Sequence, residues 1–204
     1  MTDTREKILL TALELFARNG YEAVSVSDIA GSLGITKGAL YRHYENKRDI
    51  FDSIVARMFE LDEARARESK MPVAAFDQSP EAYRHTAIES IKRFTLAQFE
   101  FWTRDSFAAP FRRMLTLEQY RSREMAKLYA DCLAAGPVAY MEDIFRETGL
   151  FDASYARRRA AEYYGPMFLL MSMADYSGGE DEMRLLQAHI DNFFKENCNE
   201  ISQK

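Results

Sequence analysis

The chain has 204 residues, enough for one large domain or for a small domain joined to a larger one. Hydrophobic residues make up 47% of it and charged residues 29%, which excludes a disordered or fibrous class. With 27 Lys and Arg against 32 Asp and Glu, the formal charge of -5 excludes a generic polyanion binder, so any contact with nucleic acid must be local.

No stretch approaches the roughly 18 apolar residues of a membrane span, and the opening MTDTREK is polar where a secretory leader would be apolar. The expectation is a cytoplasmic protein with no membrane partner. Cys132 and Cys198 are far apart and lack zinc spacing, so they are expected to be reduced thiols with no assigned role. Residues 1 to 50 carry seven basic and seven acidic side chains, which places the acidic excess in the remainder.

Ile8, Leu9, Ala12, Leu13, Leu15 and Phe16 recur at spacings of three and four, predicting a helix over 5–19 with Gly20 as its C-terminal cap. Ser25 and Asp28 form a capping-box pattern that opens a short helix, closed by Gly34, with Ile29, Ala30 and Leu33 inward. Thr36 caps a third helix of about two turns, because Asn46 with Asp49 restarts the helical signal. A fourth helix runs over 47–69 until Met71-Pro72 interrupts it. Ser79-Pro80 opens a long apolar segment to about Arg104, and further helices are expected at 106–116, 120–148, 153–176 and 181–197. Gly136-Pro137 and Gly165-Pro166 fall inside two of these and should kink or break them, while Gly178-Gly179 separates the last pair. With no strand alternation and no internal repeat, the fold class is all-α.

Two short helices joined by a glycine turn describe a helix-turn-helix reader of the DNA major groove. Helical phase turns Leu40 and Tyr44 inward and leaves Gly38 and Arg42 outward, flanked by Ala39 and Tyr41. Small Gly38 and Ala39 permit close approach to base edges, Arg42 can donate two hydrogen bonds to guanine, and Tyr41 can meet phosphate or sugar. Lys37 and His43 flank that stripe and Thr36 opens it. Lys47 with the amides at the start of the fourth helix offers an anion site, and Ser25 and Ser27 offer another.

These residues resemble the TetR (tetracycline-repressor-like) family of bacterial transcriptional regulators. The likeness covers about residues 5 to 55 and rests on A-x-x-L-F-x-x-x-G-Y, D-I-A-x-x-L-G-I and T-K-G-x-L-Y-x-H-Y-x-x-K. It implies an N-terminal DNA-binding domain over 1–46, a connecting helix over 47–69, and a helical effector-binding and dimerisation domain over 70–204. By the same likeness Lys37, Gly38, Tyr41, Arg42, His43 and Lys47 occupy DNA-contacting positions, although Ser27 stands where many relatives carry a basic residue. The behaviour implied is repression relieved by a small molecule.

Phe94, Gln98, Phe101, Trp102, Phe111 and Tyr120 lie in an aromatic-rich segment that could wall a pocket for an apolar or aromatic effector, although ordinary core packing explains the same stripe. The helices at 153–176 and 181–197 have wider apolar stripes than one domain needs outside, so pairing with a second copy into a four-helix bundle is expected. A two-fold dimer reads an inverted-repeat operator. Arg157-Arg158-Arg159 is expected to be a solvated face. Three histidines, with no metal-binding or nucleophile motif, imply no cofactor, no metal and no enzyme, an all-α enzyme or ligand carrier being the competing class.

Overall fold

The computed structural model describes residues 3–201, with side chains through residue 196, so the Cys198 thiol lies outside the described residues. Among the described residues every regular element is helical, apart from turns. In the first third, α1 (Thr4–Asn19), α2 (Val26–Ser32), α3 (Lys37–Leu40) and α4 (Lys47–Glu68) fall where the periodicity predicts them. A 3-10 turn at Phe76–Gln78 precedes α5 (Pro80–Arg84) and α6 (Ile88–Arg104). The remainder is α7 (Ala108–Glu118), α8 (Arg123–Leu133), α9 (Ala135–Glu147), α10 (Ala156–Ser177) and α11 (Glu180–Ile201).

Three departures from the periodic expectation have local causes. The segment expected to run unbroken from Pro80 to Arg104 is split at residues 85–87, where the Thr86 amide donates to the Tyr83 carbonyl at 3.2 Å and its hydroxyl to the Ala82 carbonyl at 3.0 Å. Ser79 makes no side-chain cap there. The segment 120–148 breaks at Ala134, one turn before the proline, which leaves Pro137 in the first turn of α9, where its missing N–H costs nothing. Gly136 is required at that break: a Cβ on it would sit 1.9 Å from the Asp131 carbonyl oxygen. By contrast α10 stays helical through Gly165-Pro166. Tyr163, Met167, Leu170 and Met171 are buried along its inner face and hold the helix together across the lost bond.

The chain condenses into two compact units that do not follow chain order. One contains the residues up to Asp62 together with Asp105–Tyr129; the other contains Glu63–Arg104 and the chain from Ala130 onward. In the first unit Ile8, Leu13, Phe16, Ile29, Leu40, Ile50, Phe51 and Ile54 form a core with almost no solvent exposure, and α7 packs on α1. Leu33, expected inward, is half-buried. In the second unit α6, α9, α10 and α11 pack around Tyr163, Phe145, Phe193 and Phe194, whose rings meet at 4.9–6.4 Å with Phe151. The Tyr163 hydroxyl shares a 2.8 Å hydrogen bond with Thr95, and burial pushes its pKa well above the ordinary value. Of the Arg157, Arg158 and Arg159 run, Arg157 and Arg158 are exposed and paired with Glu142 and Glu162, whereas Arg159, paired with Glu162, is half-buried over the Phe151 ring.

Candidate nucleic-acid interface

The reader is built from three capped starts. Ser25 Oγ accepts from the Asp28 amide at 3.2 Å while Asp28 accepts from the Ser25 amide at 2.7 Å, completing the capping box of α2. The Ser25 hydroxyl, donating to Asp28 Oδ2 at 2.7 Å, is the foremost cause that holds the Asp28 carboxyl below its usual range, followed by the Ser25 amide, with the Lys37 charge a lesser cause. The Ile35 amide donates to the Ala30 carbonyl at 3.0 Å across the turn at Gly34. Thr36 Oγ1 accepts from the Ala39 amide at 3.1 Å and starts α3. Asn46 Oδ1 caps α4 by accepting from the Asp49 amide at 2.9 Å.

Regular α-helix ends at Leu40, shorter than the two turns expected, but the bonds from Tyr41 to Lys37 and from Tyr44 to Leu40 carry the same twist through the following turn. Leu40 and Tyr44 are buried at 0% and 2% exposure, whereas Thr36, Lys37, Gly38, Tyr41 and Arg42 are exposed. Ala39 and His43 are half-buried at the edges of that stripe. Among the described residues that stripe stays open. Ser25 and Ser27 are exposed as well, although the Ser25 hydroxyl is already engaged with Asp28 at 2.7 Å.

Lys47 is placed differently from a free phosphate donor. Its Nζ donates to the Tyr21 carbonyl at 2.9 Å and to the Glu22 carbonyl at 3.4 Å, and lies 4.2 Å from the centre of the Tyr21 ring. Tyr21 itself packs in the core between Phe16 and Phe51.

Of the residues expected to face an effector, Phe94, Gln98, Phe101 and Trp102 are brought together on α6 and are at least nine-tenths buried. Gln98 Oε1 accepts from Arg65 Nε at 3.2 Å, and the same guanidinium lies 3.0 Å from the centre of the Phe101 ring. Phe111 and Tyr120 belong to the other unit, Phe111 fully buried and Tyr120 89% exposed. An open groove of about 420 Å³ in the second unit is lined by Glu89, Lys92, Arg93, Leu96, Gln187 and Asp191, which include none of the six.

The capped reader and its exposed stripe are those of a helix-turn-helix DNA-binding domain. Residues 8–54 match the model of bacterial regulatory proteins of the tetR family. The likeness to that family is therefore carried by the N-terminal domain. Over 55 residues it is 46% identical to the HTH-type transcriptional repressor BepR of Brucella suis, a match covering 27% of this chain and 26% of that protein. Over 73 residues it is 37% identical to the transcriptional regulator AcrR of Shigella flexneri, covering 36% of this chain and 32% of that one. The shared segment thus spans less than a third of BepR and about a third of AcrR. Across nearly the whole chain the fold is that of SmeT, the repressor of a Stenotrophomonas maltophilia multidrug efflux pump, solved with triclosan. That likeness has a TM-score of 0.66 at 19% identity and covers 95% of this chain and 90% of SmeT. Among the described residues no helix is long and apolar enough to cross a membrane.

Proposed function

We propose that the protein is a cytoplasmic, sequence-specific transcriptional repressor and not an enzyme, binding an inverted-repeat operator as a homodimer and released by a small-molecule effector. The observation that carries this is the exposed stripe of Thr36, Lys37, Gly38, Tyr41 and Arg42 on a capped helix whose opposite side is core. Ala39 and His43, half-buried, would border the contact, and the exposed Ser27 would offer its hydroxyl to a phosphate.

Pairing of two copies is supported by the outer face of α10, where Phe168, Leu169, Met173 and Tyr176 are exposed, with Leu185 exposed on α11. An apolar face of that size on two adjacent helices fits a four-helix bundle with a twin. The effector site is assigned to the α6 residues Phe94, Gln98, Phe101 and Trp102, a mostly apolar wall whose one amide is engaged by Arg65. Release follows if the effector favours a spacing of the two readers that the operator does not fit, with α4 as the lever between reader and effector site.

Selection of bound fragments from random DNA by the purified protein tests the reading. The expected product is an inverted repeat whose half-sites lie about 10 base pairs, or a multiple of that, apart. No enrichment over input, or enrichment of a motif without two-fold symmetry, rejects it.

A further inference from the structure

The first unit holds a buried carboxylate that the DNA-contacting stripe does not use. Glu118, in the last turn of α7, is 1% exposed, and its Oε1 accepts a hydrogen bond from the Tyr21 amide at 2.9 Å across 97 positions of sequence. Arg121 Nη1 lies 3.6 Å from the same carboxylate oxygen. The residue before Tyr21 makes room for it: Gly20 has φ 84°, and a Cβ there would come within 2.6 Å of the carboxylate oxygen. Gly20 is therefore needed twice, for its backbone conformation and for the approach of Glu118.

Tyr21's backbone is gripped at its other end by Lys47, whose ammonium donates to the Tyr21 carbonyl at 2.9 Å from the first turn of α4. The Val24 amide donates to that same carbonyl at 3.4 Å, and Ser25, the cap of α2, follows at once. The ring of Tyr21 lies 5.1 Å from Phe16 of α1 and 5.0 Å from Phe51 of α4. Three helices thus converge on one residue four positions ahead of the reader's first cap.

We propose that Glu118 and Lys47 are positioning residues for DNA recognition, which hold Tyr21 at both ends of its backbone and so set the entry of α2 and the presentation of α3. Neither needs to touch DNA. A buried N–H without an acceptor is unfavourable, so without Glu118 the Tyr21 corner would shift to find one and carry α2 with it. The proposal deepens the DNA-binding reading above and rests on it. It also departs from the expectation that Lys47 serves as a phosphate donor.

The test uses the full chain in two ways. Operator affinity is measured against salt for Glu118→Leu, Glu118→Gln and Lys47→Met, and backbone amide exchange is measured on the same proteins without DNA. Glu118→Leu should weaken binding roughly tenfold with an unchanged salt slope, because no phosphate contact is lost. Glu118→Gln, which keeps an oxygen acceptor, should stay within about threefold of the parent. Lys47→Met should weaken binding, again at constant slope, and it decides the matter if Glu118→Leu does not fold. In the free proteins, exchange over residues 21–43 should quicken in Glu118→Leu and Lys47→Met while α10 and α11 keep their protection. Parental affinity in Glu118→Leu, unchanged exchange over 21–43, or a salt slope shallower by about one in Lys47→Met would overturn the proposal. Should the parent select no DNA, the regulator reading falls, while the exchange result still decides whether the two residues brace the corner.

Discussion

At the scale of single residues, the exposed stripe makes different demands on its members. Arg42 shares the outward side of the short α3 turn with Lys37, but its planar guanidinium, unlike an ammonium, suits the two acceptors of guanine. Arg42→Ala is expected to cost about 1 to 3 kcal/mol on the selected operator and to flatten preference at one base position per half-site. Fluorescence anisotropy on the operator and on its single-base variants measures both. An equal loss on unrelated duplexes would move Arg42 to the phosphates. Which side of α3 faces outward was legible in the sequence, because a 3.6-residue period and two apolar anchors, Leu40 and Tyr44, settle the phase. The Glu118 contact was not legible: an acidic residue near the end of an amphipathic helix reads as solvated, and nothing in spacing announces a partner 97 positions away. The effector residues fall between these cases. Four share α6, but an aromatic stripe marks buried surface without saying which chain segment it will bury against, and Phe111 and Tyr120 fold into the other unit.

Individual elements depend on their ends. The reader's first helix has seven residues, too few to persist on propensity, so its capping box supplies much of its definition. Ser25→Ala should destabilise the protein by about 0.5 to 2 kcal/mol, measured as a shift of the denaturation midpoint at neutral pH. Acid should narrow that difference. The Asp28 carboxyl is held below its ordinary value in the folded protein, so its contribution is complete above the unfolded value near 3.8 and fades as the pH falls through the lower native one. The gap between parent and variant melts should therefore shrink as pH drops below 3.8, leaving the part due to the Ser25 Oγ bond with the Asp28 amide, and a gap that does not change with pH would mean that the ionised carboxylate adds nothing to the cap. The helix starts at Ser25 and Asn46, each with an acid three residues on, and at Thr36 were readable because side-chain capping is local chemistry. Interruptions were harder. The break between α5 and α6 carries no glycine or proline as a sign, while Pro166 fails to end a helix because buried neighbours on both sides outweigh a single missing bond.

The whole molecule combines an electrically neutral reader with an acidic remainder. Operator affinity is expected to fall linearly on a log–log scale as salt rises despite the net charge of -5, since the seven bases within the first 50 residues are not outnumbered there. Two-fold assembly should hinge on the outer face of α10. Leu169 is 60% exposed in the single chain, and Leu169→Glu should raise the dimer dissociation constant by about thirtyfold or more, on the order of 2 kcal/mol. Sedimentation reads the change directly, and far-UV circular dichroism should stay constant. A variant that still sediments as a dimer would move the twin contact elsewhere.

The composite make-up of the first unit bears on any attempt to transplant specificity. Its recognisable signature lies within residues 8–54, which invites grafting that strip alone onto a relative's body. Such a chimera would bring Gly20 and Tyr21 but leave behind their natural carboxylate at position 118, and with it the strip Asp105–Tyr129 that folds alongside. An exchange of operator preference between cousins should therefore succeed when both strips travel together and falter when only the first one does.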